Sequence, residues 1–344
     1  MRFQLPYADD VRAYSIPQFG IDALSLIEKP DPQPGPGQAL VAMKAWSLNY
    51  RDLLVIQGKY NPKMKLPMTP FSDGTGEVLA VGEGVTRVKP GDRVAGIFMQ
   101  GWLAGDYRDD YGKTAMGGAI EGVLAEQVVL DAQGLVKLPD YLSLEEAATL
   151  PCAAVTAWDS VVTQGQIKAG DTILVLGSGG VSIFALQFAR LHGARVIATT
   201  GNDAKIERLK ALGADHVINY NATPDWHKEV LKMTGGVDHV VEVGGAGTLV
   251  KSMIATRGGG RVSVIGNLSG LSTEVNVGMI LHKFLTVKGI FVGSREMFES
   301  MLRAMALAHL KPVIDRVFGF DEVRQALDHM EKAGHFGKIV VARP

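Results

Sequence analysis

The pattern of hydrophobic and polar positions changes near residue 152. Before that point, short apolar runs bounded by glycine, proline or aspartate predict a domain of β-strands and turns. The predicted strands are VRAYSIP (11–17), ALSLIEK (23–29), ALVAMKAW (39–46), GEVLAVGEG (76–84), DRVAGIF (92–98) and LAEQVVL (124–130). One helix is predicted from Asn49 to Ile56, ended by Gly58, and residues 99–123 predict a long surface loop.

After residue 152, near-continuous apolar strands alternate with helices. The strands are predicted over 172–177, 195–200, 216–220, 238–243, 260–266 and 285–291, and the helices between them over 181–193, 203–213, 223–234 and 247–257. This alternation predicts an α/β fold, a doubly wound parallel sheet covered by helices on both faces. Two further helices (295–307 and 321–332) and a strand (338–342) are predicted to close the chain.

The amino-acid composition excludes several kinds of binding partner and site. Lysine plus arginine number 35 and aspartate plus glutamate 36, so the formal net charge is −1. A nucleic-acid or anionic-membrane surface needs clustered positive charge, which this chain lacks. The single cysteine excludes internal disulfides and multi-cysteine zinc sites. Residues 1–20 lack the apolar core of a signal peptide, and no run reaches the roughly 20 apolar residues of a membrane span. We therefore expect a cytoplasmic protein acting on a small molecule.

A glycine-rich turn follows the first strand of the second half. Gly177 would make the tight turn, and Gly179 would let a pyrophosphate approach the backbone. The helix that starts near Gly180 and Val181 offers unpaired N–H groups to the phosphates. Ser182 replaces the third glycine of the G-x-G-x-x-G pattern but is small enough to keep the helix close to the strand. Within a series of βα units this turn predicts a dinucleotide site; a purely structural glycine turn is the alternative.

The end of the second strand bears on the choice of cofactor. An NAD site places a carboxylate there, on the ribose 2′-hydroxyl. Here the strand ends in Thr199 and Thr200, and the first acid, Asp203, lies already in the following helix. Lys205 is placed to attract a 2′-phosphate, although it is alternatively an ordinary solvated helix charge. We expect NADP(H) to be preferred, with NAD(H) possible.

Several segments together resemble the medium-chain dehydrogenase/reductase superfamily over almost the full chain. They are AWSLNYRDLLVIQGKY (45–60), PFSDGTGEVLAVGEGVTRVKPGDRV (70–94), LPCAAVTAW (150–158), VLGSGG (175–180) and GHFGKIV (334–340). The resemblance is strongest to the zinc-independent branch, the quinone oxidoreductase-like and zinc-type alcohol dehydrogenase-like proteins. It implies a GroES-like, partly open β-barrel catalytic domain (1–152 and 292–344) and a Rossmann dinucleotide-binding domain (153–291).

The chain departs from the zinc-dependent members where those hold their metal. Their Cys-His pair is here Asn49-Tyr50, and their Gly-His-Glu is Phe71-Ser72-Asp73. The third ligand remains as Cys152, but a catalytic zinc needs three protein ligands. All eight histidines lie at or beyond His192, and the structural four-cysteine loop is absent. We predict that the protein binds no zinc.

The resemblance also implies roles for particular residues. Tyr50 would donate a hydrogen bond or proton to the substrate's carbonyl oxygen beside Asn49, or would serve only as an aromatic wall. Asp73 would hold its turn by hydrogen bonds or act directly in the chemistry. The catalytic candidates are therefore Asn49, Tyr50 and Asp73. The candidate substrate pocket, whose aromatic residues could instead be ordinary core, comprises Trp46, Tyr50, Phe98, Trp102 and Phe291.

Cofactor contacts follow from the same resemblance. Besides the glycine-rich turn, Thr200 and Lys205, the implied contacts are Asn49, Thr156, Tyr220, Val243, Gly244, Gly266, Asn267, Phe291, Val292 and Lys338. Most of these lie at strand ends, where a parallel sheet places its ligands.

Three functions remain open at this point. The leading one is a zinc-independent reductase of small carbonyl compounds, quinones or activated alkenes. The alternatives are an alcohol dehydrogenase and a non-catalytic NADPH-binding protein.

The apolar strand 285–291 ends the sheet, and in the resembling family such edges join two subunits, so we expect a homodimer. The alternative is a monomer whose edge is covered by the loop 270–283.

Overall fold

A computed structural model of the chain describes residues 10–343. The chain folds as two compact units. One joins the chain up to Cys152 with the segment that starts at Ser294, and the other spans Ala153–Gly293. Part of the N-terminal stretch in which we expect no signal peptide lies outside the described residues.

The elements follow one another along the chain in a regular order. Between residues 10 and 343 the strands are β1 (Asp10–Ser15), β2 (Ser25–Pro30), β3 (Gln38–Ser47), β4 (Asp73–Val81), β5 (Arg93–Gly96), β6 (Gln127–Asp131), β7 (Leu135–Lys137), β8 (Thr172–Val175), β9 (Arg195–Thr200), β10 (His216–Asn219), β11 (Val237–Glu242), β12 (Thr256–Val264), β13 (Thr286–Gly289), β14 (Ile314–Gly319) and β15 (Lys338–Ala342). The α-helices of this range are α1 (Tyr50–Ile56), α2 (Leu144–Ala148), α3 (Val155–Trp158), α4 (Gly180–Leu191), α5 (Ile206–Ala211), α6 (Trp226–Thr234), α7 (Leu249–Ala255), α8 (Val277–Lys283), α9 (Arg295–Ala308) and α10 (Val323–Glu331).

The Ala153–Gly293 unit is built on a six-stranded parallel sheet in the order β10-β9-β8-β11-β12-β13. The chain starts in the middle, at β8, winds outward to β10, and then returns to wind the other way from β11. Leu174, Ile197, Val240 and Val262 are almost completely buried on these strands, as expected where helices cover both faces of a sheet. The predicted doubly wound α/β fold is confirmed, and all six carboxyl ends meet at one edge.

The other unit is mainly antiparallel. Its large sheet has the order β14-β15-β3-β4-β5-β7, and β6 pairs with the N-terminal half of the long strand β3. Because β3 pairs with β4, β6 and β15, the sheet curls into a partly open barrel. Trp46 and Phe71 lie in its core, and two residues separate the end of β3 from the start of α1.

Several elements differ from the prediction. The helix expected over 203–213 is a 3₁₀ turn (Asp203–Lys205) followed by α5, because the Asn202 side chain caps the first turn. Residues 270–283, predicted as a loop, contain α8, which the Asn276 side chain caps. The interpretation of 99–123 as a loop is confirmed but for one 3₁₀ turn, Tyr111–Thr114. None of the helices in residues 10–343 is long and apolar enough to cross a membrane.

Candidate functional site

The glycine-rich turn has the backbone geometry that a pyrophosphate site needs. Gly177 adopts φ +76°, a left-handed conformation that favours glycine, and its N–H donates to Thr199 Oγ1 at 3.2 Å. Gly179 is the N-cap of α4, and a Cβ added there would meet nothing within 4 Å. Ser182 is buried, and its hydroxyl donates to the Leu176 carbonyl at 2.6 Å, tying α4 to the end of β8. The N-terminus of α4, with Gly180 and Val181, is therefore held in place and open to an anion.

The ends of β9 and β10 lie side by side. Thr200 is buried, and its hydroxyl accepts from the Asn202 N–H at 3.2 Å. The carboxylate of Asp203 accepts from Asn219 Nδ2 at 2.6 Å, so the nearest acid is engaged by the next strand. Tyr220 is 42% exposed, and its ring covers Gly201 so closely that a Cβ there would collide with the hydroxyl. Lys205 follows in the 3₁₀ turn. The end of β9 is therefore flanked by Tyr220 and Lys205, and β9 itself carries no carboxylate.

A buried glutamate that the sequence reasoning missed shapes the loop after β11. Glu242 is fully buried; its Oε1 accepts from the Gly244 and Gly245 N–H groups at 2.7 and 2.9 Å and from Thr248 Oγ1 at 2.6 Å. Its Oε2 accepts from the Ser252 hydroxyl. The only signal in the sequence was an acid directly after two valines at the end of a strand.

The remaining predicted cofactor contacts of this unit lie near the same sheet edge, apart from Thr156, which is buried in α3. Gly266 approaches the backbone of Val243 so closely that a Cβ would collide with its carbonyl, which fixes Asn267 beside that loop. Beyond β13, Phe291 is 45% exposed and Val292 adopts φ +58°. A β-branched residue in this region is strained, and such strain clusters at functional sites.

In the other unit, Lys338 and Asn49 form a buried polar contact. Lys338 is 3% exposed, and its Nζ donates to Asn49 Oδ1 at 2.6 Å and to the Leu48 carbonyl at 2.5 Å. Asn49 is also the N-cap of α1, and its N–H donates to Asp52 Oδ2 at 2.8 Å. The two residues predicted to meet the cofactor from this unit are therefore in contact with each other.

Asp73, a predicted catalytic residue, is fully buried at the start of β4. Its Oδ1 accepts from the Ser72 hydroxyl at 2.7 Å and its Oδ2 from the Cys152 N–H at 3.0 Å. Burial raises the pKa of this carboxyl, and the Lys338 ammonium opposes that rise. Both oxygens are bound within the protein, so the geometry favours the interpretation in which Asp73 holds its turn. Phe71, just before it, has φ +70°, which sets the direction of this turn.

The positions that resemble the zinc ligands carry side chains with partners or properties unlike those of a zinc ligand. Asn49 and Ser72 present an amide and a hydroxyl that are bonded to Lys338 and Asp73. The Cys152 thiol keeps some exposed surface, but burial of the sulfur and the nearby Asp73 raise its pKa, so it stays protonated. Zinc binds cysteine as the thiolate. No group of three or more potential ligands from histidine, cysteine, aspartate and glutamate comes together anywhere in residues 10–343.

The predicted substrate-pocket residues separate into two groups. Tyr50 is 43% exposed at the start of α1, and Phe98 is buried against the guanidinium of Arg51. Trp46, by contrast, is fully buried, packs on Phe320 and donates to the Val123 carbonyl at 2.5 Å, so it is a core residue. Trp102 is also buried; it stacks with Tyr111 at 6.0 Å between ring centroids and meets Tyr107 edge-on, forming an aromatic cluster within the loop.

Comparisons with known proteins extend the resemblance. A family model described as alcohol dehydrogenase GroES-like domain matches residues 35–140, and one described as zinc-binding dehydrogenase matches residues 180–307. A zinc-type alcohol dehydrogenase-like protein of Schizosaccharomyces pombe is 44% identical over 331 residues, which cover 94% of this chain and 96% of that protein.

Two further proteins are similar along nearly their whole length. The crystal structure of a putative alcohol dehydrogenase from Sinorhizobium meliloti superposes with a TM-score of 0.90 at 42% identity, covering 98% of this chain and 99% of that one. An acryloyl-coenzyme A reductase of Metallosphaera sedula is 28% identical, over 91% of this chain and 95% of that protein. The chain thus combines a GroES-like unit with a Rossmann-like unit and belongs to the medium-chain dehydrogenase/reductase superfamily of oxidoreductases.

Proposed function

We propose that the protein is a zinc-independent, NADP-preferring oxidoreductase that transfers hydride between the cofactor and a small carbonyl compound, quinone or activated alkene. The observation that carries this proposal is a contrast between the glycine-rich turn and the positions that resemble the zinc ligands. The glycine-rich turn after β8 leaves room for a pyrophosphate, whereas two side chains at the zinc-ligand positions are already engaged, Asn49 by Lys338 and Ser72 by Asp73.

The residues present fit a dinucleotide. Gly177 is left-handed, a Cβ at Gly179 would occupy open space, and α4 presents its N-terminal N–H groups beside both. Tyr220 offers an exposed ring for the adenosine. The engagement of Asp203 by Asn219, together with Lys205 nearby, favours a 2′-phosphate over a free 2′-hydroxyl. These features support NADP(H) as the preferred cofactor.

The chain's own residues would bind and orient the cofactor and the substrate. When bound, the cofactor gives or takes the hydride. Lys338 fixes the Asn49 side chain, and the loop held by Glu242 fixes Gly244 and Gly245. Tyr50 is exposed and carries a hydroxyl that is able to donate a proton to substrate or product. An acceptor of the activated-alkene class is favoured by the similarity to a protein named acryloyl-coenzyme A reductase.

A homodimer is part of the proposal. All four residues of β13 are exposed, and among residues 10–343 β13 pairs with β12 alone. Beside this edge α8 and the residue that follows it expose Val277, Leu281 and Phe284 at 72%, 67% and 81%. This exposure speaks against covering of the edge by residues 270–283. An open edge flanked by apolar side chains supports pairing with a second copy.

The test combines metal content with turnover. Protein dialysed against a chelator is analysed for zinc, and NADPH oxidation is followed with trans-2-hexenal, hexanal and phenanthrenequinone. We expect less than stoichiometric zinc, and turnover that added zinc does not increase. About one zinc per chain, required for activity, would contradict the zinc-independent assignment. Tight NADPH binding without turnover on any acceptor would favour a non-catalytic protein.

The same assay distinguishes the two interpretations of Tyr50. Tyr50→Phe keeps the ring and removes the hydroxyl. If the hydroxyl acts as a donor, the single-turnover rate falls by up to ~10²–10³-fold while NADPH affinity holds. A rate within a few-fold of the wild type, with changed apparent affinity for bulky acceptors, identifies Tyr50 as a wall of the pocket.

A further inference from the structure

Arg51 is a nearly buried cation directly after Tyr50. Its side chain is 10% exposed, and its guanidinium carbon lies 4.7 Å from the centre of the Phe98 ring and 5.2 Å from that of Tyr60. Both distances are within the range of cation–π contacts. The two rings fix the plane of the guanidinium, so its N–H groups point in set directions.

One edge of this guanidinium is used to hold the side chain. Nη1 donates to the Met116 carbonyl at 2.7 Å and lies 3.4 Å from Asp52 Oδ1. Asp52 is fully buried, and burial raises its pKa to about 6 even though Arg51 opposes the rise. The ion pair thus holds the Arg51 guanidinium against its own helix, and the Met116 contact ties it to the loop 99–123.

On the other edge Nε is buried and has no acceptor among residues 10–343, while the Tyr60 hydroxyl also interacts with the guanidinium. The neighbouring Nη2 lies against Gly118, where an added Cβ would collide with it. A buried donor left without an acceptor is costly, by roughly 1–3 kcal/mol. Nε and Nη2 together form the parallel fork with which arginine holds carbonyl and carboxylate oxygens.

We propose that the Nε/Nη2 edge of Arg51 binds the carbonyl oxygen of an α,β-unsaturated carbonyl compound and stabilises the negative charge that develops there during reduction. This inference rests on the proposed function and names its acceptor class. Arg51 then supplies the electrophile that a zinc ion provides in the metal-dependent members of the superfamily. Its neighbour Phe98 is a predicted pocket residue, and Tyr50 precedes it on α1.

The chemistry of the guanidinium selects this acceptor. Hydride adds to the β-carbon, the π electron pair of the C=C bond moves toward the carbonyl oxygen, and NADPH leaves as NADP⁺. The resulting enolate takes a proton from water at the α-carbon, which restores the carbonyl. A guanidinium does not give up a proton in proteins, so it stabilises an enolate oxygen without protonating it. An alkoxide from a simple aldehyde would need a proton on that same oxygen, which Arg51 cannot supply, so aldehyde reduction would depend on another donor such as the Tyr50 hydroxyl.

The test uses Arg51→Ala and Arg51→Lys with trans-2-hexenal, and compares single-turnover NADPH oxidation with NADPH affinity. We expect the wild type to reduce the C=C bond and to act poorly on hexanal. Arg51→Ala lowers the single-turnover rate by ~10²–10³-fold while NADPH affinity holds. Arg51→Lys keeps the charge but loses the fork, so it recovers only part of the rate. Guanidinium chloride at millimolar concentration, below the denaturing range, restores turnover to Arg51→Ala.

Arg108→Ala is the matched control, because Arg108 also pairs with an aspartate and lies over a tyrosine ring but is exposed. If Arg51→Ala fails to fold, Gly118→Ala takes its place, since the added methyl displaces Nη2 while keeping the cation. Wild-type activity with unchanged rates in Arg51→Ala, or in Gly118→Ala, overturns this inference and leaves the proposed function intact. A wild type inactive on enals, aldehydes and quinones alike overturns both.

Discussion

Replacing Glu242 by glutamine tests how the loop after β11 is held. The carboxylate collects three hydrogen bonds on Oε1, from Gly244, Gly245 and Thr248, and one on Oε2, from Ser252. In Glu242→Gln the amide oxygen keeps the Oε1 position and the Ser252 hydroxyl is able to rotate and accept from the new NH₂ group. The number of contacts is therefore preserved, and the negative charge is lost.

The magnitude follows from that difference. A hydrogen bond to a charged group contributes about 1.5–3 kcal/mol and a neutral one about 0.5–1.5 kcal/mol. Three bonds on Oε1 that each lose about 1 kcal/mol give an upper bound near 3 kcal/mol for the stability of the loop. If the loop contacts the cofactor, binding must then order it, and NADPH affinity falls by roughly 10–100-fold.

Two measurements separate the steps of this reasoning. Fluorescence titration gives the dissociation constant of NADPH, and amide hydrogen exchange reports the opening of the Gly244 and Gly245 N–H groups. Ser252→Ala removes only one contact and should have a smaller effect, while Glu229→Gln, an exposed charge on α6, should have none. Unchanged exchange at both glycines would refute the role of Glu242 in holding the loop. Faster exchange with unchanged NADPH affinity would show that the cofactor does not contact it.

The remaining predictions concern the same unit. Lys205→Ala should weaken NADPH binding by about 10–100-fold and leave NADH binding nearly unchanged; equal affinities of the wild type for both cofactors would contradict the assignment. Burial raises the pKa of Asp159 to about 6, above the ~3.9 of an unfolded chain, so its contribution to the free energy of unfolding is largest below pH 4 and is lost as pH rises to 6. Asp159→Asn should therefore gain about 2–3 kcal/mol at pH 8 and nothing at pH 4 in urea unfolding, and a gain confined to low pH would contradict this sign. Light scattering should give the mass of two chains for the wild type and of one for Val287→Lys; a single-chain mass for the wild type would rule the dimer out.

The sequence predicts most of the parallel sheet because its strands are largely apolar runs, and helices are predicted between each of the first five. The elements it misses are short or lack periodicity. Leu144–Ala148 is a helix of five residues started by a capping box at Ser143, and Val277–Lys283 exposes two of its four apolar residues, Val277 and Leu281. In both cases a side-chain cap and tertiary packing decide the structure, and periodicity does not.

The candidate site divides in the same way. The glycine-rich turn is local, so its motif predicted Gly177 and Gly179 in the correct backbone geometry. The roles of Arg51 and Glu242 depend on what surrounds them. The orientation of the Arg51 guanidinium depends on its contacts with the Phe98 ring and with the Met116 carbonyl, which lies 65 residues along the chain. Such contacts arise only when the loop 99–123 folds back on α1, and residue type alone does not reveal them.

The charges buried in the barrel unit bear on the proposed zinc independence more directly than the missing ligands do. Arg51 and Lys338 supply two positive charges beside the carboxyl groups of Asp52 and Asp73, which lie close enough to influence one another. Burial lowers the pKa of Lys338, and the neighbouring carboxylates oppose that fall. A divalent ion would add two positive charges to a region in which cations already balance the carboxylates, with a protonated Cys152 as the remaining candidate ligand. Since an uncompensated buried charge costs several kcal/mol, these four residues disfavour a metal there.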